Sequence, residues 1–154
     1  MESVLPTSED QLNCFIAKYT PEIAKETHAV LQKLRSRLPG ALEVVYDNYN
    51  ALAIGFTPTE KVSHVIFSIA IYPRWINLFF MQAAGLDDPN GLLQGNGTVA
   101  KHIRLDGPAT LDAPEVISLM EHALDRAVVP LDPNQPGRIV IKYVSEKQRS
   151  RRPQ

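Results

Sequence analysis

The segment GNGTVAKHIRLDG, residues 95–107, sets Lys101, His102 and Arg104 within four positions of one another. A Gly-x-Gly pair, Gly95 and Gly97, stands before them and a second glycine turn, Asp106-Gly107, stands after. Glycine lets backbone approach a ligand closely, and Lys and Arg supply charge-assisted hydrogen bonds, so the chemistry this pattern offers is anion capture. The plainer account is the entry and exit of a β-strand. The pair lacks the third glycine of a dinucleotide fingerprint, the residues after it pattern as a strand instead of a helix N-terminus, and no Walker loop is present. On a strand, His102 shares a face with Arg104 while Lys101 points to the other side.

Other chemically capable residues are more dispersed. His28, His64, His102 and His122 make no local zinc-binding spacing. Glu22 and Glu26 lie one helical turn apart, and Glu121, His122 and Asp125 cluster, giving oxygen-rich surfaces suited to weak iron or calcium binding. Carboxylates in a first helical turn also serve the helix dipole, and ordinary solvated faces account for both groups. Asp87-Asp88-Pro89-Asn90-Gly91 has the start of a calcium loop without its remaining ligands, and reads as a turn. Cys14 has no neighbouring base or positive charge to make it a nucleophile. No catalytic residue is read, and no enzyme is expected. Lys147, Arg149, Arg151 and Arg152 form a basic C-terminal cluster that can reach phosphates. It has no interleaved aromatics, so a nucleic-acid partner is not expected and a solvated tail is. Tyr46, Tyr49, Tyr72 and Trp75 surround turns, where they either line a small cleft at the rim of a sheet or pack with polar tips outward.

These residues need a scaffold, and 154 residues suffice for one core without a metal or disulfide. A net charge of −1 gives no long-range field to gather nucleic acid or anionic membrane. The single cysteine, placed on a helix as a small buried hydrophobe, suits a reducing cytoplasm. MESVLPTSEDQLN has neither the basic nor the apolar region of a secretory signal, and the apolar run Val65 to Tyr72 is too short to span a bilayer. A cytoplasmic protein with no membrane partner is expected.

Ser8 and Gln11 have capping-box spacing ahead of a helix at about 9–18, with Leu12, Phe15, Ile16 and Tyr19 on one face. Thr20-Pro21 opens a second helix whose stripe, Ile23, Thr27, Val30, Leu31, Leu34 and Leu38, stops at Pro39-Gly40. Strand patterns come next at Leu42–Tyr46, Ala51–Phe56, His64–Tyr72 and Trp75–Met81, joined by turns too short for crossover helices. A fifth strand is expected at Val99–Leu105. A third helix, capped reciprocally by Asp112 and Glu115, carries Val116, Leu119, Met120, Ala123, Leu124 and Ala127. Beyond a proline linker, Arg138–Val144 forms a strand that closes the sheet at an edge or pairs with a second copy in a homodimer. The expected architecture is α+β: an antiparallel sheet of about five or six strands against three helices, with one domain over 1–144 and a basic flexible tail over 145–154.

The block Asp88-Pro89-Asn90-Gly91-Leu92-Leu93-Gln94-Gly95-Asn96-Gly97, followed by Lys101-His102-Ile103-Arg104-Leu105, resembles the YdhG-like domain family. The similarity runs over roughly 20–127, with Thr98 where many relatives carry Lys. The resemblance implies a compact α+β fold and a non-enzymatic binding role, in a family of largely unknown function whose relatives include frataxin-like iron chaperones. It brings no individual iron ligands. The expected ligand-binding set is Asp88, Gly95, Gly97, Lys101, His102 and Arg104, for an unknown small ligand, with an anion matching the cations, or for a protein. An intracellular iron carrier using Glu22, Glu26, Glu121 and Asp125 is the alternative, and iron is the one cofactor the resemblance suggests.

Overall fold

The computed structural model describes residues 7–154. Residues 1–6, part of the N-terminal stretch read for a leader, lie outside the described residues. Helix α1 spans Ser8–Ile16 and is capped by Thr7: its hydroxyl accepts from the Asp10 N–H, and the Asp10 carboxylate accepts from the Thr7 N–H. The box therefore sits one residue ahead of the expected Ser8 and Gln11. Both spacings satisfy the pattern, and the extended backbone of Thr7 decides between them. Cys14, expected buried, is exposed on α1, because Leu12 and Ile16 take the inward face. Helix α2 spans Pro21–Arg37, with Thr20 as its cap and Pro21 in its first turn. It stops where Gly40 turns at φ +82°, and a Cβ there would lie 1.9 Å from the Asp132 carbonyl oxygen, so glycine is required twice over.

Six strands complete the scaffold: β1 Leu42–Asp47, β2 Leu52–Thr57, β3 Phe67–Ile71, β4 Ile76–Phe80, β5 Lys101–Leu105 and β6 Ile139–Val144. They lie in the order β5-β4-β3-β2-β1-β6. The first five pair antiparallel as a meander. The α+β class stands as read, with one refinement: β6 joins β1 in parallel, making the sheet mixed. Between β5 and β6 the chain makes a short 3-10 turn at Pro108–Asp112, then helix α3 at Pro114–Asp125 and the proline linker. That path is long enough to return β6 in the parallel sense. A β-bulge interrupts the pair between Val45 and Tyr46, where Lys142 has no partner and Tyr143 comes opposite Tyr46.

The expected Asp112 cap of α3 is not formed. Ala113 occupies the cap position without a side-chain bond, and Asp112 instead bridges Lys33 and Arg37 of α2. Two cations offer that carboxylate more than a backbone N–H, and the Lys33 bond foremost holds its pKa below the usual value.

Strand alternation divides the sheet into unlike faces. Val45, Leu52, Ile54, Phe56, Phe67, Ile69, Ile71, Ile76, Leu78, Phe80, Ile103 and Leu105 join one core with Leu12, Ile16, Val30, Leu31 and Leu34 of the helices. Ala53, Gly55, Ser68, Ala70, Asn77, Phe79, His102 and Arg104 alternate with them and lie on the opposite face. Register with Phe56 and Leu52 also puts two acids of β1, Glu43 and Asp47, on the helix side. Glu43 is held by a two-pronged bond from Arg35, at 2.7 and 2.8 Å, which raises the guanidinium pKa.

Tyr19, between α1 and α2, is buried in this core. Its hydroxyl donates to the Ile71 carbonyl (2.7 Å) and accepts from the Leu52 N–H (3.2 Å), pinning the helices to the ends of two strands. Burial pushes its pKa up to about 12, with Arg151 opposing the shift. An unfolded tyrosine ionises near pH ~10, so the fold holds this proton longer. Its contribution is complete below pH ~10 and is lost as pH rises through about 12. Tyr19→Phe is therefore expected to cost about 1–3 kcal/mol at neutral pH, by orphaning the Leu52 N–H, and to flatten the alkaline loss of stability. Urea midpoints measured from pH 7 to 12 check both.

Candidate functional site

The residues expected to bind a ligand are separated by the fold. Asp88 closes its own loop, its carboxylate accepting from the Leu92 and Leu93 N–H groups at 2.9 Å each. Gly95 turns at φ +110°, and a Cβ on it would lie 3.3 Å from His102 Nδ1. A Cβ on Gly97 would lie 2.5 Å from the Ala100 carbonyl oxygen. The approach these glycines permit is taken by their own chain, which folds back so that Gln94 and His102 exchange backbone bonds of 2.8 and 2.9 Å. Lys101 pairs with Phe80 and stands on the helix side of β5. His102 and Arg104 stand on the other side, His102 against the Phe79 ring at 5.1 Å and Arg104 over the Trp75 ring at 4.9 Å. Of this set, Arg104 through Trp75 and His102 through Phe79 touch a basic and aromatic surface on the open face of the sheet.

That surface begins with a trough. Ala53, Ser68 and Ala70 form its floor on β2 and β3, and Tyr49, Tyr72, Phe79, Met81 and Tyr143 rise around it, enclosing about 610 Å³. The floor is low because the side chains alternating with Ile54, Ile69 and Ile71 are the smallest available, leaving no second core layer to fill it. The bulge in β6 brings Tyr143 to this face, where it is 53% exposed. Of the aromatics expected at a sheet rim, Tyr49 and Tyr72 line the trough. Sequence reading missed its floor, and the signal was there: small residues at alternate positions of two neighbouring strands.

At Asn50 and Tyr72 the trough meets a second cleft of about 880 Å³, lined by Arg74, Trp75, Arg149 and Arg152 among others, with no carboxylate side chain. Trp75 stacks on Tyr72, rings 5.2 Å apart and 27° from parallel, and Arg149 lies over Tyr49 at 5.7 Å. The cleft exists because residues 145–154 dock on the domain where a flexible tail was expected. The physical reason is Arg151. Its side chain is 3% exposed, and it bonds Asp47, itself 1% exposed, at 2.9 Å. The same guanidinium donates to the Tyr49 and Asn48 carbonyls and lies over the Tyr19 ring at 5.9 Å. Lys18 holds the other Asp47 oxygen at 3.0 Å.

Among the described residues, no group of three or more His, Cys, Asp or Glu side chains is placed to hold a metal ion. Glu22 and Glu26 lie on α2, and Glu121 and Asp125 on α3. Strand β6, the expected dimer surface, lies at the sheet edge, with Lys142 bridged to Glu60 and with Tyr143 and Val144 exposed. No helix among the described residues is long and apolar enough to cross a membrane. No protein family, curated protein or solved structure matches the chain.

Replacing Arg151 by Ala leaves Asp47 buried with Lys18 as its remaining cation. The expected loss is about 3 kcal/mol, the scale for breaking one side of a buried pair. Denaturant unfolding checks the loss, and limited proteolysis checks that cleavage begins within 145–154.

Proposed function

We propose that the protein is a non-enzymatic binding module of the YdhG-like family, and that its ligand is an anion with a planar or apolar part. The trough takes the uncharged part. Arg149 and Arg152, beyond the shared Asn50 and Tyr72, take the charge. The observation that supports this reading is adjacency: a small-residue floor walled by aromatics shares Asn50 and Tyr72 with a cleft lined by arginines and no carboxylate side chain. Apolar walls with a few convergent polar groups are the usual composition of a small-molecule site. A guanidinium held against a ring is less hydrated than one in bulk water, which favours exchange of its water for an anion. The single, exposed Cys14 suits a reducing cytoplasm as the protein's setting.

Anilinonaphthalene sulfonate, a planar anion whose fluorescence rises in apolar sites, tests the reading. Saturable binding to the folded protein is expected. Ala70→Phe, which fills the floor, abolishes it while the melting temperature shows that the variant still folds, and Arg149→Glu weakens it about tenfold. Binding to Ala70→Phe as tight as to the parent would sink the proposal.

A further inference from the structure

The arginines beside the trough are more numerous than a small anion needs. Arg74, Arg104, Arg149 and Arg152 form no ion pair with a carboxylate among the described residues. In a chain of net charge −1 this is a local excess of cation, and a polyanion is the ligand that neutralises it. The cations are also interleaved with rings: Arg104 lies over Trp75, Trp75 stacks on Tyr72, and Arg149 lies over Tyr49. The basic C-terminal cluster has no aromatics in its own sequence. The fold supplies them from the β1–β2 and β3–β4 turns.

We propose that this surface, from Arg149 and Arg152 past Tyr72 and Trp75 to Arg104, binds single-stranded nucleic acid, phosphates on the arginines and bases on the rings. Alternating cations and aromatic faces are what an unpaired strand uses, because each nucleotide carries one charge and one unpaired π-face. A duplex keeps its bases stacked inside and gives the rings nothing to hold. An acidic peptide would use the cations alone. The inference shares Arg149, Arg152, Tyr49 and Tyr72 with the anion-binding reading and rests on it for these alone, since Arg74, Trp75 and Arg104 do not line the trough and are given no part in that reading.

Fluorescence anisotropy with labelled ten-residue oligouridylate, oligodeoxythymidylate and a hairpin duplex at low salt is the test. Saturable binding of the single strands is expected, with the duplex weaker by about tenfold or more. The RNA and DNA arms decide which sugar is preferred. Affinity should fall with salt at a log–log slope of about −2 to −3, for three or four phosphates neutralised. Arg74→Glu, at an exposed position, and Arg104→Glu should each reduce that slope, and Trp75→Ala should weaken binding about tenfold. Melting temperatures show whether each variant folds, and Arg74→Glu serves if Trp75→Ala does not. Inorganic polyphosphate should compete only at much higher phosphate concentration. No saturable binding, equal binding by Arg74→Glu and Arg104→Glu, or equal competition by polyphosphate would each overturn the inference. Sulfonate binding that is lost in Ala70→Phe, alongside no oligonucleotide binding, would leave the trough reading standing and remove this one alone.

Discussion

A carboxylate buried on the wrong side of a sheet governs the shape of this molecule. Asp47 ends β1 facing the helices, in a row that continues through Leu52, Ile71, Ile76 and Leu105, and it has almost no contact with solvent. Taking such a charge from water costs several kcal/mol unless cations and hydrogen bonds replace the lost hydration. Two cations do so, from opposite ends of the chain: Lys18 after α1 and Arg151 near the C-terminus. They dictate the path of the last ten residues. The Ser145 N–H bonds the Asp47 carbonyl, Gln148 bridges Lys18 and that carbonyl, and the Arg149 N–H bonds the Tyr49 carbonyl. The positions of Arg149 and Arg152 beside the aromatic turns are thus a by-product of satisfying one acid.

The two faces of the sheet divide the work. One carries branched and aromatic side chains that interlock with the helices and supply the hydrophobic stabilisation. The other carries Ala, Gly and Ser across its central strands. Gly55 is fixed there by crowding, since a Cβ would come within 2.9 Å of the Val44 side chain. A rigid layer with a low, accessible floor results, and its rim residues are held by turns whose backbones are themselves tied down.

Much of the scaffold was legible because local rules and global packing agree. Thr20-Pro21, the stripe of α2 and the short turns between β1 and β4 each admit one sensible structure. The failures occur where distant residues compete for a group. Asp112 spaces correctly as a helix cap, yet Lys33 and Arg37 claim it from a different helix. The direction of β6 depends on how the chain returns from α3, which no local pattern states. The basic residues at 147–152 read as solvated because their acid partner, Asp47, falls just past the strand pattern Leu42–Tyr46, in a run Asp47-Asn48-Tyr49-Asn50 whose residue types are those of a solvated turn. The candidate site was legible only in fragments. Tyr49, Tyr72 and Trp75 were recognised as rim aromatics and Arg104 as an anion contact, but their meeting requires the sheet order. The glycines at 95 and 97 attracted a functional reading, and steric need answers for them: His102 and Ala100 occupy the space a side chain would take.

The unpaired Lys142 in β6 gives the trough a property that no single side chain determines. In an unbroken register Tyr143 would fall opposite Asp47 and turn toward the helices, and Lys142, opposite Tyr46, would form the far wall. The chemistry of the cavity's border is therefore encoded by parity along one marginal strand. A one-residue shift of register there would re-tune which guests are admitted while the sheet's central strands kept their composition, a cheap route by which related chains could diverge in what they hold.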